Sequence, residues 1–311
     1  MSTPDAVARG DDPRVGPPHP SPGVVVPFLW RRVLSSLRGA RGAAPVVAFD
    51  ADALARDRGL TWIGHATFLA RLGGATFLTD PVFSHRASPL PFAGPQRMIP
   101  PGVALQALPS VDFAVLSHDH YDHTDLPAVR ALAARGVRFV VPPGMAELIA
   151  SAGGQTTELE WWQSCEMAGL RVTCVPAQHF SGRGLFDRNR RLWAGFVIEG
   201  GGRRVYHAGD TGYFAGFREI AARLGPPDVA LLPIGAYAPR AMMRRVHMDP
   251  DEAVRAALDL QARQVIGMHF GTFDLADEPM DEPPRRFLAA ASAAGLGERA
   301  FVMKVGETRA F

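Results

Sequence analysis

SHDHYDHTD, residues 117–125, sets three histidines and three aspartates within nine positions of a 311-residue chain that has only ten histidines. The apolar run VDFAVL (111–116) leads directly into it. Such a run reads as a buried strand, so the cluster falls in a loop at the strand's carboxyl end. His118 and His120 stand two residues apart, which in extended backbone puts both side chains on one face. Asp122 and His123 follow in a turn and point elsewhere. One loop can therefore feed two neighbouring cations, with an imidazole pair for the first and a carboxylate plus an imidazole for the second. Nitrogen and oxygen donors without sulfur suit Zn2+, with Fe or Mn as alternatives. A polar surface loop is the competing reading, and it leaves the H-x-H-x-D-H spacing after a buried strand unexplained.

Two cations need more than four ligands, and further candidates stand at other strand ends. His179 follows RVTCVPAQ (171–178), Asp210 follows RRVYHAG (203–209) and His269 follows QVIGM (264–268). Each is weak alone, because a histidine at a strand end is more often structural. Together with the first loop they repeat one placement four times. Asp210 is the candidate bridge, since a carboxylate has two oxygens and a charge that offsets both ions.

The rest of the chain bounds the function class. With 47% hydrophobic and 21% charged residues it is an ordinary globular composition, able to bury a large core. A net charge of +2 is too mild to argue for nucleic acid, and no strongly basic arm is present. The two cysteines, Cys165 and Cys174, form neither a CxxC pair nor a disulfide framework, which fits a reducing compartment. No apolar run reaches the roughly 18 residues that span a bilayer. MSTPDAVARGDD at the N-terminus lacks a basic-then-apolar leader. The expectation is a cytoplasmic protein, with peripheral contact at the inner face of a membrane as an option.

Two parts are expected. Residues 1–57 read as an N-terminal extension, without fixed structure over 1–23. An amphipathic helix starts at Pro27 and sets Trp30, Val33, Leu34 and Leu37 on one face. Arg31, Arg32, Arg38 and Arg41 supply charge with no acid nearby. Residues 24–42 either pack on the main domain or lie on a membrane surface. Residues 58–311 alternate strands and helices in two batches. LTWIGHATFLARL (60–72) and ATFLTDP (75–81) read as two strands joined at Gly73-Gly74, and ELEWW (158–162) as another. DPDEAVRAALDLQ (249–261) reads as a helix capped by Asp249, with Pro250 at its first position. A sheet core with helices outside fits this order, an α/β class.

Taken in sequence, HDHYDH, PAQH, GDTGY and MHFGTF resemble the metallo-β-lactamase fold of binuclear zinc hydrolases. TWIGHATFL, FLTDPVFSHRASP, GPQRM, PAQHFSGR, PIGAYAPR, HMDPDEAV and HFGTFDLADE narrow the likeness to the N-acyl-phosphatidylethanolamine-hydrolysing phospholipases D, over residues 60–308. The resemblance implies an αββα four-layer sandwich. It implies one zinc held by His118, His120, His179 and Asp210, and a second held by Asp122, His123, Asp210 and His269. A hydroxide between the two ions would attack phosphorus and release phosphatidic acid and N-acylethanolamine. The resemblance also places Tyr121 and His247 near the substrate phosphate, and it is compatible with a homodimer. The chain departs from the family pattern at Val246 and Phe180.

Other residues have expected supporting roles. Asp80 in LTDP is the expected acceptor behind a ligating imidazole, and His65 in GHAT either does similar work or is a satisfied core histidine. His207 is expected to pack or to touch a ligand's partner. Arg183, Arg188, Arg190 and Arg191 read as a solvated basic loop or one that attracts a phosphodiester. Two alternatives stay open. One is a hydrolase of the same fold acting on a soluble lactone, ester or phosphodiester. The other is a membrane-associated binding protein with a vestigial site.

Overall fold

The computed structural model describes residues 13–14, 16–17, 21–38, 44–56, 58–184 and 186–311. The first half supplies strands β1 (Gly59–Gly64), β2 (Thr67–Leu72), β3 (Ala75–Thr79), β4 (Phe113–Val115), β5 (Arg138–Val141) and β6 (Gln155–Glu158). The second half supplies β7 (Ser164–Met167), β8 (Leu170–Val175), β9 (Gly195–Gly200), β10 (Arg203–His207), β11 (Val229–Pro233), β12 (Gln264–Met268) and β13 (Ala300–Val302). A last strand, β14 (Thr308–Ala310), returns to pair with β1. Among the described residues these make two seven-stranded sheets, ordered β14-β1-β2-β3-β4-β5-β6 and β13-β12-β11-β10-β9-β8-β7.

Side-chain alternation stacks the layers. Trp62, Phe68, Phe77, Phe113 and Val140 share one core with the second sheet. Their strand neighbours Ile63, Leu69, Leu78, Ala114 and Phe139 join a separate core on the other face. There they meet residues of α3 (Leu126–Ala133) and α4 (Ala146–Ala150). On the second sheet's far side pack α5 (Gly216–Leu224), α7 (Pro250–Asp259) and α8 (Glu282–Ala293), through Phe217, Val254 and Phe287. Strands covered on both faces read as continuous apolar runs, which is why VDFAVL and DVALLP carry so few polar residues. The result is the expected αββα sandwich.

Both sheets contain a parallel block, β3 to β6 in one and β10 to β13 in the other. Ligand sites in such sheets form beyond the carboxyl ends of the strands. Asp80 follows β3, the 117–125 loop follows β4, and His269 follows β12.

Several expectations change. LTWIGHATFLARL is two strands, because the chain reverses at His65, whose φ of 56° is left-handed. Gly64, with a φ of 126°, is the one residue of the stretch that marks the turn. Of ELEWW only Glu158 is strand. Trp162 has a φ of 72° and turns the chain towards β7, while Trp161 is buried with its indole N–H on the Trp193 carbonyl. The N-terminal helix α1 runs Pro22–Arg38, so it starts before Pro27 and carries that proline inside. The stretch expected to lack fixed structure, 1–23, overlaps this helix at Pro22 and Gly23, and its residues 1–12, 15 and 18–20 lie outside those described. Arg31 and Arg32 do have acidic partners, Asp277 and Asp274. These are distant in sequence and adjacent in space. The side chains of Val33, Leu34, Leu37 and Arg38, and all of Arg41, lie outside the described residues.

The helix after His247 begins as read. The Asp249 side chain accepts from the Glu252 backbone N–H at 2.9 Å, and the Glu252 carboxylate accepts from the Asp249 N–H at 3.2 Å. This reciprocal capping box satisfies two backbone donors. Asp249→Ala should lower stability by about 1 kcal/mol, as chemical denaturation would register, whereas Asp259 at the far end of α7 has no capping role to lose.

Candidate metal centre

The loop after β4 is built to hold a shape. The Thr124 hydroxyl donates to the His118 carbonyl at 2.7 Å, and the N–H groups of His123 and Thr124 both reach the His120 carbonyl. Asp125 caps α3 and also accepts from the N–H groups of Phe83 and Ser84. Across the loop, the buried Asp119 accepts from Gly182 N–H and Arg191. The His118 and His120 rings therefore converge, with His118 Nε2 and His120 Nδ1 2.9 Å apart. His179 brings Nε2 within 3.2 Å of the same His120 Nδ1.

Asp210, 3% exposed, lies at the centre. Its Oδ2 is 3.1 Å from His123 Nε2 and 3.8 Å from His179 Nε2, and its Oδ1 is 3.1 Å from His269 Nε2. Asp122 Oδ2 stands 3.7 Å from His123 Nε2 and 3.4 Å from His269 Nε2. All seven expected ligands thus meet in one place, around a carboxylate whose two oxygens face different partners.

The imidazoles are aimed by what lies behind them. Asp80, fully buried, accepts from His123 Nδ1 and His207 Nε2 at 2.8 Å each, and from the Ser117 N–H and hydroxyl at 2.7 Å each. The Ser117 oxygen in turn lies 2.9 Å from His118 Nδ1. His179 Nδ1 donates to the Val246 carbonyl at 2.9 Å. At His118, His123 and His179 these bonds occupy Nδ1 and turn Nε2 towards the cluster. The expectations for Asp80 and His207 match this geometry.

Electrostatics favour the same set. Burial lowers His118, with His123 and other imidazoles adding to it, and burial likewise takes His179 well below the usual range. Both rings keep a free lone pair at neutral pH. Burial alone would raise Asp210, but His123 and His269 hold it well below the carboxylate range. Burial opposes a charge on His269, yet Asp210 and Asp122 raise it to about 9.

Buried polar atoms without a hydrogen-bond partner include His123 Nε2, Asp210 Oδ1, His247 Nδ1 and His269 Nε2. Such orphans are costly in a folded protein, and a cation among them would satisfy them. The donors are imidazole and carboxylate only. Cys174 is buried inside the core, where its thiol is pushed up by desolvation. The residues present therefore fit a divalent metal: among the described residues four overlapping groups of imidazoles and carboxylates bring their donor atoms within 4.8 Å of one another, and two of the four share Asp210.

The remaining candidates separate. His247 joins the cluster, with Nδ1 3.9 Å from Asp210 Oδ2 and its ring 5.1 Å from that of His179. Tyr121 flanks it, and its hydroxyl donates to the Arg183 carbonyl at 3.0 Å. The basic loop divides: Arg190 is exposed, as the solvated reading expects, and the other three arginines have a different task. Arg183 stacks on Tyr121 at 3.8 Å and donates to the carbonyls of Asp119 and Thr124. Arg191 pairs with Asp119 and Asp187, and Arg188 covers the Phe180 ring. These arginines brace the ligand loops. Sequence reasoning missed Asp119, which carries no local signal because its partners lie some sixty residues on.

Known proteins are similar to this chain over most of its length. The model of the beta-lactamase superfamily domain matches residues 75–270. An uncharacterized protein of Mycobacterium tuberculosis is 45% identical over 274 residues, covering 85% of this chain and 73% of that one. The N-acyl-phosphatidylethanolamine-hydrolyzing phospholipase D 1 of Caenorhabditis elegans is 43% identical over 256 residues, covering 78% and 72%. Among solved structures, the metallo hydrolase Igni18 of Ignicoccus hospitalis superposes with a TM-score of 0.63 at 27% identity, covering 81% and 97%. The chain belongs to the metallo-β-lactamase superfamily, as a metal-dependent hydrolase related to the N-acyl-phosphatidylethanolamine-hydrolysing phospholipases D.

Proposed function

We propose that this protein is a binuclear zinc phosphodiesterase of the phospholipase D type. It hydrolyses N-acyl-phosphatidylethanolamine or a related phospholipid to phosphatidic acid and N-acylethanolamine. The observation that carries the reading is the convergence of orphaned imidazole and carboxylate atoms on Asp210, in a chain 43% identical to a phospholipase D of that specificity. His118, His120, His179 and Asp210 would hold one ion, and Asp122, His123, Asp210 and His269 the other. Bound there, a pair of divalent cations supplies a deprotonated water as nucleophile and offsets the charge of a phosphoryl oxygen.

The chain's own groups do the rest. Asp210 faces both halves of the cluster, with Oδ2 towards His179 and His123 and Oδ1 towards His269. Asp80 and Ser117 hold His123 and His118 in the tautomer that leaves Nε2 free. Burial holds His247 down at about 4, so its ring is neutral at working pH. A neutral imidazole can donate one N–H to a phosphoryl oxygen, and it has no spare proton for the leaving alcohol. Tyr121 lines the approach and is braced by Arg183.

A lipid substrate requires contact with its bilayer. α1 carries Val26 and Trp30, 63% and 64% exposed, and its Arg31 and Arg32 anchor it on residues 274–277, just beyond His269. Leu90 and Phe92 stand exposed on the loop before Arg97, whose guanidinium stacks on Phe273. These apolar side chains support peripheral binding through residues 24–42 and this neighbouring loop. Among the described residues no helix is long and apolar enough to cross a membrane.

Zinc-loaded protein mixed with vesicles containing N-acyl-phosphatidylethanolamine should yield phosphatidic acid and N-acylethanolamine by mass spectrometry, with no turnover by Asp210→Asn. A protein holding two metals per chain that leaves the lipid intact would defeat the lipid assignment. Asp80→Asn should weaken zinc 10–100-fold by roughly the usual loss for such a partner and destabilise the fold by about 3 kcal/mol, as chelator competition and denaturation would record. Zinc uptake should also release protons. His269 is charged below about 9 in the metal-free protein, and a ligand must be neutral. Against burial, Asp210 and Asp122 raise His123 well above the usual range too. Apparent affinity should therefore rise with pH as both rings lose their proton, and calorimetry in buffers of different ionisation enthalpy would measure the proton count.

A further inference from the structure

Besides His247, a second buried histidine outside the seven expected ligands, His65, reaches into the cluster. We propose that His65 is a positioning residue for the second cation, holding the Asp122 carboxylate towards His123 and His269 and so setting the affinity of that half of the centre. The inference rests on the two-metal reading above.

His65 Nε2 lies 2.9 Å from Asp122 Oδ2. That same oxygen is the one 3.4 Å from His269 Nε2 and 3.7 Å from His123 Nε2. An ionised carboxylate only accepts, so His65 Nε2 carries the proton and Nδ1 is bare. Nδ1 has no hydrogen-bond partner among the described residues, and the ring is 1% exposed. A core histidine held for packing would be expected to satisfy both nitrogens. This one directs its single N–H at a ligand.

The backbone is tied down to make that contact. The His65 N–H donates to Thr272 Oγ1 at 2.8 Å. Its carbonyl accepts from the Trp62 indole at 2.9 Å and from the His269 N–H at 3.1 Å. The left-handed φ of 56° is uncommon for any residue with a side chain. The ring also lies tilted against His269, 3.9 Å between centroids, and meets Phe273 edge-on at 5.2 Å. Asp122 needs such a hold. Its side chain is 14% exposed, against 2% for Asp210, and it sits in a turn, where a free carboxylate would rotate towards water.

The test compares His65→Gln with His65→Met in the full chain. The two replacements have the same shape and meet the same left-handed backbone. Only glutamine offers an N–H near the position of Nε2. Zinc stoichiometry would be read by elemental analysis and affinity by competition with a chromogenic chelator. Melting of the metal-stripped proteins controls for folding. The wild type should bind two equivalents. His65→Met should keep the first and lose about 10–100-fold at the second, while His65→Gln retains most of that affinity and both stripped variants melt together. Equal binding by the two variants would overturn the proposal. If they match the wild type the N–H has no role, and if both lose the second ion the ring is itself a ligand. A Met variant weakened alike at both sites, with a stripped form melting below that of Gln, would make His65 structural instead. A wild type that binds fewer than two equivalents defeats the two-metal reading itself.

Discussion

A charge buried where no water reaches it survives only when donors surround it. Asp80 is that charge here, and four hydrogen bonds converge on it. It follows β3, Ser117 and His123 lie in the loop after β4, and His207 ends β10 in the opposite sheet. One carboxylate therefore joins the two sheets at the place where the ligand loop leaves them. Burial opposes its ionisation, and His207 and His123 outweigh that by holding it below the carboxylate range. The tautomer of His123, the orientation of His118 through Ser117, and the spacing of the sheets beneath the cluster all follow from it. Architecture and chemistry share a single group.

Around this point the loops are held from outside as well. Asp119 sits in the middle of the ligand motif and points away from the cluster, towards Gly182 and Arg191. Arg183 closes over Tyr121 and over the carbonyls of Asp119 and Thr124. Loops that carry ligands are usually mobile, and these arginines spend their charge on immobilising one. On the other side, α1 reaches from the N-terminal part of the chain to the segment that follows His269, and its ion pairs fasten there.

Much of this was legible in the sequence. Strands buried on both faces announce themselves as apolar runs, and the seven expected ligands follow strand ends, although β8 ahead of His179 is antiparallel to both its neighbours. The capping box at Asp249 was readable because its residues are adjacent. What was not legible depends on distance or on local geometry with a weak marker. In LTWIGHATFLARL only Gly64, with a φ of 126°, marks the reversal at His65, and a lone glycine inside a strand pattern is a weak turn signal. β13 and β14 are three residues each and exist by pairing with strands far off in sequence. The acids that neutralise Arg31 and Arg32 lie more than 240 residues later. Asp119 looked like one more acid in a crowded motif.

His65 and His269 both adopt left-handed backbone, and the N–H of one is bonded to the carbonyl of the other. Few side chains tolerate that region, and β-branched ones tolerate it least. Genetic drift at these two positions is therefore filtered twice, by handedness before chemistry. Asparagine and glycine pass the first filter and fail the second, while isoleucine or valine fails the first whatever the reaction needs. A lineage that abandoned the metal would still find these two positions slow to change, so a histidine retained at either one is poorer proof of retained catalysis than an intact Asp210.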